Sequence, residues 1–171
     1  MLNILCNNNR YITVSLVHKL KTGNKIKDSD KIDALIDTGA VFTCFMADSF
    51  QNVRLKEEDF KDENTMELGG FITRADEGDL VSSLSARFYE YQVNTFTIGN
   101  INLKSQKIWI TFDKRIEWNL IGMDMLSKIG LIQYPNSNIL SIFENEDELN
   151  TYVINNSKIK ILLDSNLPNK I

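Results

Sequence analysis

The chain has 171 residues, of which 43% are hydrophobic and 25% are charged, so the composition fits one soluble globular domain and excludes wholesale disorder. The formal net charge is −4, whereas proteins that bind nucleic acid through its phosphates usually carry an excess of positive charge. No apolar run approaches the roughly 18 residues that a membrane-spanning helix needs. We therefore expect neither a nucleic-acid partner nor a membrane.

The cysteine content bears on the compartment. Cys6 and Cys44 are too few for a disulfide framework, and with His18 as the single histidine there is no zinc-like Cys/His spacing. One bridge between the two cysteines is an alternative, but free thiols in a reducing compartment are favoured. The first ten residues lack the basic and apolar segments of a secretion signal. The sequence therefore predicts a cytoplasmic location and no metal site.

Alternating apolar and polar residues predict strands in the first part of the chain. In segment 10–20 the apolar residues share one face with His18, which we interpret as a partly buried strand residue and not as a ligand. A second apolar strand covers 32–36, and residues 41–45 are again β-prone. Residues 47–64 are polar with weak helical spacing, so we expect a short helix or turn there, followed by a loop.

The middle of the chain is rich in β-forming residues. Residues 65–73 are interpreted as a strand, a Gly-Gly turn and a second strand, and residues 74–79 as a further polar turn. The segments 86–98 and 101–112 flank a Gly-Asn turn, which predicts a β-hairpin.

The last third begins with a short apolar strand over 118–122. Helical spacing over 123–129, with Gly130 behind it as the C′ residue, predicts a short helix. A strand, a turn and another strand are expected over 131–143, and the acidic run 144–150 is interpreted as a solvated helical turn or loop. The apolar residues that follow predict one more hairpin. The fold class is therefore all-β with one or two short helices, arranged as a barrel.

One polar turn between two apolar strands carries the candidate chemistry. Asp37 directly follows the apolar residues of its strand, where a carboxylate is partly buried and its charge needs compensation. The Thr38 hydroxyl can hold the loop by hydrogen bonds, Gly39 allows a tight backbone and the close approach of a ligand, and Ala40 keeps the site narrow. Such a turn would present a carboxylate at the floor of a cleft.

Two further motifs belong with this turn. The apolar strand that ends in glycine, Leu120-Ile121-Gly122, precedes the short helix and would pack beside the turn. The segment Leu68-Gly69-Gly70-Phe71 contains a glycine pair that suits a mobile hairpin over a cleft.

Together these motifs resemble the retropepsin-like aspartic proteases, which comprise the retroviral proteases and their cellular and bacterial relatives. The order of strand, Asp-Thr-Gly-Ala, flap, hairpin, Leu-Ile-Gly-x-Asp-x-Leu and short helix matches that family over residues 10–143. The tetrapeptide alone is a weak signal, but its apolar flank and the second motif make it specific. The resemblance implies a retropepsin-like acid-protease β-barrel with a single lobe per chain.

The resemblance also implies roles for single residues. Asp37 matches the catalytic aspartate, and Thr38 matches the threonine that interlocks with its partner across a dimer. Gly39 matches the glycine whose backbone approaches the substrate, and Ala40 follows it in the catalytic loop. The segment Leu120-Ile121-Gly122 matches the strand that packs across that loop.

Two positions are less specific. The glycine pair within 68–71 resembles the tip of the glycine-rich flap, but Asp76-Glu77-Gly78 is an alternative tip. Asp124 lies where many cellular relatives carry aspartate, and we interpret it as a helix N-cap or as a supporting hydrogen-bond partner, not as a catalytic group.

An aspartic protease needs two carboxylates that face each other, but an Asp-Thr/Ser-Gly motif occurs once in this chain. The resemblance therefore implies a homodimer in which each copy gives one catalytic aspartate. It also implies a polypeptide substrate and no metal or organic cofactor. The predicted activity is that of an aspartic endopeptidase, which hydrolyses peptide bonds by general acid–base activation of water.

Two alternatives remain at this stage. One is a catalytically silent module of the same fold that serves dimerisation or peptide binding, and the other is an unrelated small β-barrel in which Asp37 stands in a β-turn by accident. We assign residues 1–143 to the protease domain and residues 144–171 to a C-terminal extension. The extension is expected to pack on the domain or at the dimer interface, with occupation of the cleft as an alternative.

Overall fold

The computed structural model describes residues 2–5, 11–18, 29–61, 63–72, 83–133 and 139–155. Within these residues, no helical segment has the length and hydrophobicity of a membrane span. Two short 3-10 turns cover Ala47–Ser49 and Glu57–Phe60. The remaining elements are β1 (Leu2–Leu5), β2 (Tyr11–His18), β3 (Ser29–Ile36), β4 (Cys44–Met46), β5 (Thr65–Ile72), β6 (Ser83–Ile98), β7 (Ile101–Thr111), β8 (Leu120–Ile121), α1 (Met123–Leu126), β9 (Gly130–Gln133), β10 (Ile139–Phe143) and α2 (Glu146–Asn155).

The larger of two sheets closes on itself. Its strands follow the order β2–β3–β8–β4–β7–β6, and β6 also pairs with β2, so six strands form a closed barrel. The pairs β3–β8 and β4–β7 are parallel, whereas the other pairs in the barrel are antiparallel. The first half of the long strand β6 pairs with β5, which lies outside the closed ring. The predicted all-β barrel with short helices is confirmed.

The barrel encloses the main hydrophobic core, and the alternation in the sequence explains which side chains enter it. In β2, the side chains of Ile12, Val14 and Leu16 are buried, whereas the polar residues between them are not. β3 follows the same period of two over residues 29–34, as expected of a strand with one face on a core, whereas in β6 the adjacent Phe88 and Tyr89 are both buried and the alternation shifts between Val93 and Phe96. The hairpin predicted over 86–112 is present, with its turn at the expected Gly-Asn pair.

A second sheet of three antiparallel strands, in the order β1–β10–β9, lies between the barrel and α2. Ile142 of β10 belongs to the barrel core, while Phe143 contacts Tyr152 of α2 with ring centroids 5.2 Å apart. A Cβ on Gly130 would lie 2.7 Å from the Cβ of Leu149. The absence of a side chain at this glycine therefore allows α2 to approach β9 closely.

Two predictions for the last third are wrong. The helix α1 ends at Leu126, and Gly130 begins β9 with an ordinary backbone conformation instead of ending the helix. The segment 151–155, where the predicted hairpin begins, belongs to α2, because the acidic run and these residues form one ten-residue helix on β9 and β10. The remaining residues of the predicted hairpin lie outside the described part of the chain.

His18 lies in a buried polar network near the end of β2. Its Nε2 is 2.7 Å from Oδ2 of Asp30, and its Nδ1 is 2.9 Å from the hydroxyl of Tyr91. The other oxygen of Asp30 accepts the backbone N–H groups of Gln51 and Asn52 at 2.9 and 2.8 Å. The interpretation of His18 as a strand residue is confirmed, and its side chain is fully buried instead of partly buried.

Candidate active site

The candidate catalytic loop leaves β3 at Asp37 and enters β4 at Cys44. The backbone N–H of Asp37 donates to the carbonyl of Ile121 in β8, at 3.1 Å. The N–H of Ala40 donates back to the carbonyl of Asp37 at 3.2 Å and closes a tight turn. Because β8 pairs in parallel with the end of β3, it fixes the point at which this loop begins.

The carboxyl group of Asp37 is held by the backbone of its own turn. The N–H of Gly39 donates to Oδ1 of Asp37 at 2.8 Å, and a hydrogen bond to an ionised acceptor is stronger than a neutral one. A Cβ on Gly39 would lie 3.2 Å from that same oxygen. The predicted role of this glycine, which is to allow a tight backbone beside the carboxylate, fits the observed geometry.

Gly122 packs directly against the middle of the loop. A Cβ at this position would lie 2.5 Å from the carbonyl carbon and oxygen of Phe42 and 2.9 Å from the oxygen of Ala40. The N–H groups of Met123 and Asp124 donate to the carbonyls of Ala40 and Val41 at 2.8 and 3.1 Å. The start of α1 therefore binds the backbone of the loop, and only glycine fits at the junction.

Thr43 connects the end of the loop to the same junction. Its buried hydroxyl accepts the N–H of Gly122 at 3.0 Å and donates to Oδ1 of Asp124 at 2.6 Å. Asp124 is thus a supporting hydrogen-bond partner, and its interpretation as a helix cap is wrong because α1 has no side-chain cap. Thr43 is not among the residues predicted for the site, although a hydroxyl among apolar strand residues is a signal for such a contact.

A cleft with a volume of about 500 Å³ opens beside the loop. It brings together residues from three of the predicted motifs: the Asp-Thr-Gly-Ala turn, the glycine pair of β5 and the strand β8. Thr38 is exposed beside it, whereas Ile121 and Gly122 are buried behind it. The lining residues are Asp37, Gly39, Ala40, Val41, Phe42, Cys44, Leu68, Gly69, Gly70 and Leu120.

The glycine pair of β5 forms a bulge and not the predicted turn. Leu68 pairs with Ala86 and Phe71 with Leu84, so two residues of β5 stand opposite one residue of β6. Gly70 has a φ of 90°, which L-residues with a side chain rarely adopt. The prediction of a turn here is wrong because β5 continues to Ile72. The end of the hairpin, including the alternative tip at 76–78, lies outside the described residues.

The cleft is electrostatically simple. Asp37 carries the one carboxyl group among the described lining residues, and most of its neighbours are apolar. Burial, together with the nearby charge of Asp124, raises the pKa of the Cys44 thiol to about 12, so this thiol is neutral at physiological pH. In the described part of the chain, no group of three or more His, Cys, Asp or Glu side chains could hold a metal ion.

The structure is similar to that of a retropepsin-like aspartic protease from Rickettsia conorii, with a TM-score of 0.50 and 19% sequence identity, over 84% of this chain and 89% of the rickettsial one. It is also matched to the EIAV protease complexed with the inhibitor HBY-793, with a TM-score of 0.35 and 15% identity, over 72% of this chain and 91% of that one. No protein-family model and no curated protein matches the sequence. The rickettsial similarity establishes the fold that the two chains share.

Proposed function

From this retropepsin-like fold, we propose that the chain is an aspartic endopeptidase that acts as a homodimer. The observation that carries the proposal is the placement of Asp37. Its carboxyl group stands at the end of a barrel strand, is bonded to the N–H of Gly39, and faces a cleft with apolar walls. A carboxylate that is held rigidly beside an open cleft suits general acid–base chemistry.

The second carboxylate comes from a second copy of the chain. Asp-Thr/Ser-Gly occurs once in the sequence, and Thr38, which follows Asp37, is exposed at the surface. In the proposed dimer, the two Asp37 loops meet across a two-fold axis, and each Thr38 contacts the loop of the partner subunit. The active site is then formed only in the assembled dimer.

The two carboxyl groups share one proton, because like charges at close range cannot both ionise easily. The ionised Asp37 takes a proton from a bound water, whose oxygen attacks the carbonyl carbon of the peptide bond. The protonated Asp37 of the other copy donates a hydrogen bond to the carbonyl oxygen. The tetrahedral intermediate then breaks its C–N bond as the Asp37 that took the proton from water gives it to the nitrogen of the leaving amine.

The proposed substrate is an extended polypeptide. Leu68, Gly69 and Gly70 of β5 line the cleft, and Phe71 follows them in the same strand. In the proposed enzyme this part of β5 belongs to the flap, and a substrate strand pairs with its edge through backbone hydrogen bonds. The walls formed by Val41 and Leu120 favour apolar side chains beside the bond that is cut. In this assignment, residues 1–143 form the protease domain and residues 144–171 form the extension that contains α2.

The test is an Asp37→Asn variant in a cleavage assay with an unfolded protein and with a peptide library, each with and without an aspartic-protease inhibitor. We expect cleavage to fall at least 100-fold, because an amide cannot act as the general base, while the unfolding midpoint and the sedimentation coefficient stay unchanged. The matched control is Asp147→Asn, which changes an exposed carboxyl group on α2. Full activity of Asp37→Asn would refute the proposal.

Dilution tests the dimer separately. Since a monomer holds half of the site, activity should fall faster than linearly with protein concentration in the range where sedimentation shows dissociation. Linear activity in that range contradicts the shared site. A wild-type chain that dimerises but cleaves nothing supports the silent dimerisation or peptide-binding module instead.

A further inference from the structure

Asn119 lies directly before β8 and is buried, with 7% of its surface exposed. Its Nδ2 donates to the carbonyl of Asp33 in β3 at 3.0 Å and lies 3.0 Å from the hydroxyl of Ser49. Its Oδ1 accepts the N–H of Met46 in β4 at 2.9 Å and lies 3.1 Å from the same hydroxyl. Its backbone carbonyl accepts the N–H of Leu35 at 2.8 Å. One side chain therefore joins three segments of the chain.

These three segments hold both ends of the loop that carries Asp37. β3 leads into the loop, β4 leads out of it, and β8 lies between the two strands. β8 has only two residues, and it pairs with β4 through the single pair of Leu120 and Cys44. Backbone pairing alone therefore joins β4 to β8 weakly. The carboxamide of Asn119 adds one side-chain hydrogen bond to β3 and one to β4.

We propose that Asn119 is a positioning residue for Asp37. Its carboxamide sets the spacing between β3 and β4 where the loop begins and ends, and so sets the direction of the Asp37 carboxyl group. The inference rests on the proposed function, because the position of Asp37 matters for catalysis only if Asp37 is catalytic. Asn119 itself does not line the cleft among the described residues, so it acts through the loop.

The chemistry of the site explains why an amide is needed. The carbonyl of Asp33 requires a donor, and the N–H of Met46 requires an acceptor, at the two ends of the same short side chain. An ionised carboxylate of the same shape would place an acceptor against the carbonyl of Asp33. Alanine would leave both backbone groups without these partners. A neutral carboxylic acid, in contrast, offers one donor and one acceptor.

The experiment compares Asn119→Asp and Asn119→Ala with the wild-type protein, at a temperature and concentration where each is folded and dimeric. We expect kcat to fall at least 10-fold in both variants at neutral pH, with KM within about threefold of the wild-type value. We express the kcat of Asn119→Asp relative to that of the wild-type protein at the same pH. This ratio should rise towards one as the pH is lowered, because the introduced carboxyl group becomes a hydrogen-bond donor when it is protonated. Asn119→Ala should show no such recovery.

The matched control is Asn102→Asp, which makes the same change at an exposed position of β7, where the side-chain oxygen accepts a hydrogen bond from the Thr97 hydroxyl. It should leave kcat and its pH profile unchanged. If Asn119→Asp and Asn119→Ala lower the unfolding midpoint but keep the wild-type kcat and pH profile, Asn119 is merely structural and the inference is wrong.

A second measurement separates this inference from the proposed function. Amide hydrogen exchange over residues 37–43 reports the order of the loop without reference to catalysis, and it should be at least 10-fold faster in Asn119→Asp than in Asn102→Asp. If exchange is faster in Asn119→Asp but the wild-type protein cleaves nothing, the peptidase proposal is contradicted, while the role of Asn119 in shaping the loop is supported. Unchanged exchange in an active peptidase would contradict only the role of Asn119.

Discussion

A methyl group at Gly122 should distort the candidate catalytic loop. The substitution Gly122→Ala would place its Cβ 2.5 Å from the carbonyl carbon and oxygen of Phe42, where ordinary contacts begin at 3.4 Å. The two backbones must therefore separate by roughly 1 Å, and neither group is the flexible end of a side chain. That movement stretches the bonds that Gly122 and Met123 donate to Thr43 and Ala40.

The cost follows from these two effects. Overpacking of this kind costs about 1–3 kcal/mol, and a weakened buried hydrogen bond adds about 1 kcal/mol. We expect Gly122→Ala to lose roughly 2–4 kcal/mol of unfolding free energy, which in a chain of this size lowers Tm by roughly 5–15 °C. The proposed peptidase activity should fall as well, because the loop that presents Asp37 is the part that moves.

The assay is thermal and urea unfolding followed by circular dichroism, with Gly69→Ala as the matched control. A Cβ on Gly69 meets no atom within 4 Å, and this glycine has no positive φ. The control should therefore stay within about 0.5 kcal/mol of the wild-type protein. Equal unfolding midpoints for Gly122→Ala and the wild-type protein would refute the close packing of β8 and α1 on the loop.

Two further predictions concern buried groups. His18→Ala leaves Asp30 without its buried partner and should cost about 3–5 kcal/mol in urea unfolding. Lys107→Ala, which removes the exposed lysine of the pair with Glu90, should cost less than about 1 kcal/mol. Equal losses would contradict the burial of the His18 network. Folding raises the pKa of the Cys44 thiol from 9.0 to about 12. The neutral thiol therefore contributes fully to the free energy of unfolding below pH 9, and this contribution is lost as the pH rises towards 12. In a Cys6→Ser background, Cys44 should react with Ellman's reagent at pH 8 only after unfolding in guanidinium, and rapid labelling of the native protein would contradict that shift.

The barrel strands β2 and β3 could be predicted from the sequence because their apolar and polar residues alternate with a period of two, and the β6–β7 hairpin could be predicted from its Gly-Asn turn. The turn at Asp37 could also be predicted, because its apolar flank and the downstream motif Leu120-Ile121-Gly122 make the otherwise weak tetrapeptide specific. The bulge at the glycine pair of β5 could not be predicted, because Gly-Gly suits a turn and a bulge equally well. The bulge forms because Leu68 and Phe71 both pair with β6, a strand that follows later in the chain.

The supporting residues of the site were predicted less well than Asp37 itself. The partners of Thr43 and Asn119 could not be predicted, because they lie 70 to 86 residues away along the chain. The ten-residue helix α2 was also missed in part, since its acidic first half resembles a solvated loop. Its helical character depends on Leu149 and Tyr152, which pack on the small sheet.

The long sequence separation between the loop and the residues that bind it has a consequence for folding. The loop from Asp37 to Thr43 takes its shape from contacts with residues 119–124, and contacts of this span form only after a large entropic cost of loop closure. During synthesis, Asp37 leaves the ribosome long before the segment that fixes it. Under the proposed function, a nascent chain is therefore inert until the segment that forms β8 has been made and lies between β3 and β4.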